Sequence, residues 1–160
     1  PVAGEELLEI PLYKEKFLAY VSPEEPLHKD KAIETMTLTS ENVWVLRESY
    51  CPRSGALPFC QCNTCRNAVY EAGSIETLLK IVDENGGYSI IPELHIPLLC
   101  EEQKKNVRPL QNPEPARIIA FIIRQDFVRE RMLNILLDAV KSIVPRDMIH
   151  PRLHKFSIKL

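Results

Sequence analysis

Four of the five cysteines, Cys51, Cys60, Cys62 and Cys65, fall within fifteen positions. Clustered thiols support two chemistries. In a redox switch an oxidant attacks one cysteine and a second resolves it. The attacked sulfur must be a thiolate, which nearby cations, N–H donors or a helix N-terminus favour. The sulfenic acid so formed condenses with a neighbouring thiol to a disulfide. Arg53 and Arg66 lie close in sequence to supply positive charge. A bridge needs Cα atoms within roughly 7 Å, so a loop that parts the thiols when reduced must refold on oxidation. The rival chemistry is structural zinc, held tetrahedrally by four thiolates. Only Cys62-x2-Cys65 has the zinc-knuckle spacing, because Cys51 and Cys60 are separated by eight residues. Scattered inert thiols are the third reading.

The segments around the cluster define what must position it. Pro52, Gly55 and Pro58 make 48–66 a loop with at most a helical turn. Before it, LLEIPLY (7–13) and KFLAYV (16–21) read as two strands separated by a charged turn. Residues 22–39 are a loop grading into a polar stretch, and 43–47 (VWVLR) is a buried strand with Trp44 in the core. After the cluster, 68–71 is a weak strand. Ser74 is expected to cap a helix over 74–85, whose Ile75, Leu78, Leu79 and Val82 form one apolar face. Gly86 and Gly87 end that helix, and YSII (88–91) is the next strand, stopped by Pro92. Residues 93–105 read as a short helix or turn, 107–110 as a strand and 112–115 as a stiff turn. RIIAFIIR (117–124) reads as a strand for the middle of a sheet. Asp126 is expected to cap a helix over 127–143 that buries Val128, Met132, Ile135, Leu136, Ala139 and Ile143. Strands alternating with helices make the class α/β.

The chain has 160 residues, 45% apolar and 26% charged, with net charge −2. This is ordinary for a soluble globular domain and gives no electrostatic reason to bind nucleic acid or an anionic membrane. No run of about 18 apolar residues is present, so no membrane span is expected. With no signal-peptide pattern, the reading is a reducing cytoplasm, where clustered thiols do redox or metal chemistry more often than stapling. The early strands look too few to close a sheet, which suggests structure preceding residue 1. His150 and His154 read as solvated surface, His95 as a packed histidine and Cys100 as a small buried hydrophobe. The stretch 101–105 (EEQKK) reads as a solvated face. No phosphate loop, metalloprotease or nucleophile-elbow pattern occurs, so no enzyme activity and no cofactor are expected.

Ordered segments across almost the whole chain resemble one family. EAGSIETLLKIVDENGGYSIIPEL (71–94) is similar to the middle of the effector domain of LysR-type transcription regulators. LLEIPLYKEKFLAYVSPEEPLHKD (7–30) and PEPARIIAFIIRQDFVRERMLNILLDAVKSIV (113–144) resemble its flanking strands and its return strand with final helix. The resemblance implies a periplasmic-binding-protein-like effector domain. Residues 1–105 would be chiefly its second lobe, carrying the redox loop 48–66. Residues 106–160 would return to the first lobe, whose early strands, like the N-terminal DNA-binding domain, lie outside the chain. Within the family, Cys51-x8-Cys60 resembles the peroxidatic and resolving cysteines of the peroxide-sensing, OxyR-type branch. Cys62 and Cys65 stand as alternative resolving thiols. Arg117 resembles the arginine that helps hold the peroxidatic thiolate there, and Arg53 matches an arginine just after that cysteine; a thiolate needs a cation, so both are candidate thiolate-stabilising residues. Tyr50 and Ser54 stand where that branch usually has histidine and an acid or amide. The resemblance further implies hydrogen peroxide as signal, a homodimer or tetramer, and DNA as partner through the missing domain, with RNA polymerase beyond it. It leaves two alternatives: a metabolite-binding effector domain with incidental cysteines, and a zinc-stabilised interaction module.

Overall fold

The computed structural model describes residues 6–39, 42–45 and 74–150. The four clustered cysteines, Arg53 and His154 lie outside them. The chain divides into two compact units, Lys16–Ala116, and Pro1–Glu15 with Arg117–Leu160.

The first long element is one strand, β1 (Leu7–Val21), running unbroken through the charged residues expected to form a turn. The charges do not interrupt it because Lys14 and Lys16 point to solvent while Glu15 is buried and paired. A charged triplet therefore satisfies strand alternation instead of breaking it.

In the unit Lys16–Ala116, β1 is central. It pairs antiparallel with β4 (Tyr88–Pro92) and with β5 (Val107–Gln111). Outside these lie β2 (Ile33–Glu34), parallel to β5, and β3 (Val43–Trp44), parallel to β4. The resulting order is β2-β5-β1-β4-β3. Alternation along β1 builds two cores. Tyr20 faces Ile75, Leu78, Leu79 and Val82 of helix α1 (Ile75–Asn85), with Ile91 and Leu99. Ala19 and Val21 face Ile33, Leu38, Val43, Tyr88 and Leu110.

Helix α1 keeps its expected cap and face. Ser74 Oγ accepts from the Thr77 N–H at 3.3 Å. Gly86 and Gly87 follow with φ of +76° and +83°. A Cβ at Gly87 would stand 2.3 Å from the Asn42 carbonyl oxygen, so close approach as well as φ demands glycine. Trp44 is half-buried, and its indole N–H donates to the Gly86 carbonyl at 2.9 Å. His95 is buried, as a packed histidine should be.

Cys100 is exposed, contrary to its reading as a buried hydrophobe. Leu99 takes the core position, while Cys100 precedes the short helix α2 (Glu101–Lys104), its N–H donating to Gln103 Oε1 at 3.3 Å. The EEQKK stretch is solvated, with Lys104–Glu101 and Lys105–Glu102 pairs.

In the other unit, β6 (Ala116–Arg124) pairs with the start of β1, and α3 (Glu130–Ile143) packs on them. Two expectations change here. β6 is one-sided among the described residues: Ile119, Phe121 and Ile123 pack inward while Ile118 and Ile122 are exposed. Helix α3 starts later than expected, because Asp126 accepts from Arg124 at 2.9 Å instead of capping it. Its buried face is Leu133 and Leu137, joined by Val140 and Val144. The stripe expected to be buried, Val128, Met132, Ile135, Leu136 and Ile143, is exposed. The helix is apolar on two sides, so periodicity alone fits either face.

Candidate functional site

Of the residues singled out for thiol chemistry, Arg117 is the one the described structure contains. It is the second residue of β6, held beside β1 by strand pairing. Its Nε and Nη2 both lie 2.7 Å from a single oxygen, Oε2 of Glu15. Glu15 has a side chain only 2% exposed, against 28% for Arg117. A buried carboxylate without a cation would be strongly unfavourable, so the pair is obligatory for this packing. Tyr13, two residues away on the same strand, has its pKa raised, first by burial and then by the Glu15 charge, with Arg117 opposing.

Sequence reasoning singled out Arg117 but not its buried partner Glu15. The signal was present: Glu15 is in step with Phe17, Ala19 and Val21, all buried, so a period-two reading through 15–21 would have placed it on the inner face. Cys51, Cys60, Cys62, Cys65 and Arg53 lie outside the described residues, so no distance joins them to Arg117. Cys100 lies just before α2, in the unit Lys16–Ala116. Among the described residues no group of three or more His, Cys, Asp or Glu side chains could hold a metal ion.

A second polar cluster lies in the unit Lys16–Ala116. Tyr20 donates to Asp83 Oδ1 at 2.5 Å and accepts from Asn106 Nδ2 at 3.3 Å. Asn106 Oδ1 meets His28 Nε2 at 3.1 Å. Burial, then the hydrogen bond to Asp83, pushes the Tyr20 hydroxyl far above the ordinary tyrosine range. The cluster ties β1 to α1 and to Asn106, the residue before β5.

The arrangement therefore offers an anchored guanidinium on a sheet. Residues 1–145 match the LysR substrate binding domain. The chain belongs to that family. This LysR substrate-binding domain is 32% identical over 147 residues to the "Hydrogen peroxide-inducible genes activator" of Haemophilus influenzae, a match covering 88% of the chain and 48% of the relative. It is 25% identical over 140 residues to the "DNA-binding transcriptional dual regulator OxyR" of Escherichia coli K12, covering 87% and 46%. The LysR domain thus spans about half the length of the curated relatives it matches. Among solved structures it is similar to OxyR from Porphyromonas gingivalis, with TM-score 0.79 and 34% identity over 91% of this chain and 67% of that one. It also resembles the reduced OxyR regulatory domain from Pseudomonas aeruginosa, with TM-score 0.70 and 26% identity over 89% and 69%. The α/β class, the LysR-type domain and the likeness to the peroxide-responsive branch agree with the reading of the sequence. No helix among the described residues is long and apolar enough to cross a membrane.

Proposed function

We propose that this LysR domain is the redox-sensing half of a peroxide-responsive transcription regulator. The observation that carries the reading is the similarity to hydrogen-peroxide-inducible activators in a chain that also bears Cys51-x8-Cys60. The Cys51 thiolate attacks one oxygen of H₂O₂. The O–O bond breaks, a sulfenic acid forms and the departing hydroxide takes a proton to become water, so sulfur loses two electrons and peroxide gains them. The Cys60 thiol then attacks that sulfur, forming the disulfide and releasing the second water. A dithiol reductant resets the pair by exchange. Arg117, and Arg53 beside the cysteine in sequence, supply the positive charge that keeps Cys51 ionised.

In this reading the loop 48–66 refolds to bring the two sulfurs within bonding distance. Refolding next to a subunit interface changes the arrangement of a homodimer or tetramer, and with it how a DNA-binding domain in the same polypeptide meets its half-sites and RNA polymerase. Residues 106–160 are the return to the first lobe. The protein works in the cytoplasm and turns over no substrate.

The test is a stoichiometric titration of reduced protein with H₂O₂. The reading expects two thiols lost per peroxide consumed, and no rapid loss in Cys51→Ser. Unchanged thiol loss in Cys51→Ser would overturn it in favour of incidental cysteines.

A further inference from the structure

Strand β6 reads ARIIAFIIR and is apolar on both of its faces. Alternation alone therefore leaves two settings open: either Ile119, Phe121 and Ile123 turn inward, or Ile118, Ala120 and Ile122 do. The strand takes the first. Ile119, Phe121 and Ile123 pack against Ile10, Leu12, Leu133, Leu137 and Ile149, while Ile118 and Ile122 are 54% and 50% exposed. Arg117 is in step with the inward set. Its Nε and Nη2 each lie 2.7 Å from Oε2 of Glu15, whose side chain is 2% exposed. A shift of β6 by one residue would carry Arg117 to the opposite face and part it from that buried carboxylate. We propose that the Glu15–Arg117 pair is the register lock of β6: it selects which face of an ambiguous strand joins the core. The lock acts within the fold and is independent of any thiol chemistry.

Charge supplies the selectivity that hydrophobic patterning lacks here. A buried ion pair contributes little net stability, because desolvation of both groups offsets their attraction. Separating the partners is costly, since each charge then loses the other in a medium that screens poorly. The same asymmetry divides the two settings of β6: its apolar faces are nearly equivalent, whereas only one setting joins Arg117 to Glu15. The rival determinant is size, Phe121 against Ala120, because the larger side chain gains more by burial. The two determinants differ once the pair is replaced by apolar residues of similar length. If the pair selects, the second setting becomes populated. If size selects, the first persists alone.

The experiment compares the parent with Arg117→Met and with the double variant Glu15→Leu, Arg117→Met, by thermal melts and by isoleucine-methyl NMR with a soluble gadolinium chelate. In the parent the chelate broadens the methyls of Ile118 and Ile122 more than those of Ile119 and Ile123. Arg117→Met is expected to melt well below the parent, and the double variant to recover most of that loss. The double variant is also expected to show a second set of β6 methyl peaks, with Ile119 and Ile123 now the more broadened. Glu15→Arg with Arg117→Glu keeps the pair with its charges exchanged and is expected to show one set. A double apolar variant with a single, parent-like set would overturn the proposal and leave Phe121 as the determinant. A double apolar variant that melts no higher than Arg117→Met would overturn it too, because the pair would then hold the fold together without choosing between settings.

Discussion

Tyr20 on β1 donates its phenolic hydrogen to Asp83 on α1 at 2.5 Å, at a position with no solvent exposure. The bond links the central strand to the helix that covers it. Asn106, just before β5, donates to the same hydroxyl. Three elements of the unit Lys16–Ala116 therefore meet at one oxygen. The phenol is neutral in the folded state well beyond the pH at which a free tyrosine ionises.

That difference makes stability depend on alkaline pH. A group whose folded pKa lies above its unfolded value binds more protons when folded, so its contribution is complete below about pH 10 and is lost as pH rises above that. Tyr20→Phe is expected to cost on the order of 1 kcal/mol at neutral pH, through the lost hydrogen bond. It should also flatten the fall in stability above about pH 10. Urea melts of parent and variant at pH 8 and pH 11 check both effects, and parallel curves at the two pH values would contradict the account.

Which face of α3 is core is decided by a pair of substitutions one turn or less apart. Leu137 is 1% exposed, and Leu137→Ala is expected to cost about 2–5 kcal/mol. Ile135 is 61% exposed, and Ile135→Gln is expected to change stability by less than about 0.5 kcal/mol. Denaturant midpoints with unchanged slopes give the comparison, and a larger loss for Ile135→Gln would reverse the assignment.

This pair also marks where the sequence is readable. Helix α1 was legible because its apolar residues form one stripe, bounded by Ser74 and a glycine pair. Helix α3 was legible as a helix, but not in orientation, since Leu133 and Leu137 share it with a second stripe of Met132, Ile135 and Leu136. Lys14-Glu15-Lys16 looked like a turn because charge in a strand ordinarily means solvent. Only the strand partner carrying Arg117, about a hundred residues later, makes burial of Glu15 tolerable, and that pairing is non-local. Cys100 was misjudged for a related reason: its apolar neighbours Leu98 and Leu99 suggested a core run, yet only Leu99 is buried. The contact between Glu15 and Arg117 was not legible in the sequence.

Gly87 tests the backbone at the entry to β4. Gly87→Ala forces a Cβ against the Asn42 carbonyl and keeps a left-handed φ of +83°. The φ penalty alone is about 1–2 kcal/mol, and the clash adds to it. The variant is expected to melt well below the parent, with β3 losing its parallel register to β4. Amide exchange of the Tyr88 N–H, bonded to Asn42, reports the loss directly. Unchanged protection would contradict the argument.

Ser74 tests the helix start. Ser74→Ala removes the acceptor for the Thr77 N–H and is expected to cost about 1 kcal/mol. Glu76, whose pKa is lowered first by its hydrogen bond to Ser74, should titrate higher in the variant. Its contribution is present above the unfolded carboxylate pKa and lost as pH falls through the folded one, so the variant should be less acid-sensitive relative to neutral pH. Carboxyl chemical shifts across pH 2–6 follow the change, and an unmoved Glu76 midpoint would contradict it.

The most direct test of the central claim is a non-reducing peptide map of the protein after one equivalent of H₂O₂, with free thiols alkylated at quench. The account predicts one dominant disulfide peptide joining Cys51 to Cys60, reversed by a dithiol. A map with all four clustered thiols alkylated, or with bridges that exclude Cys51, would contradict it.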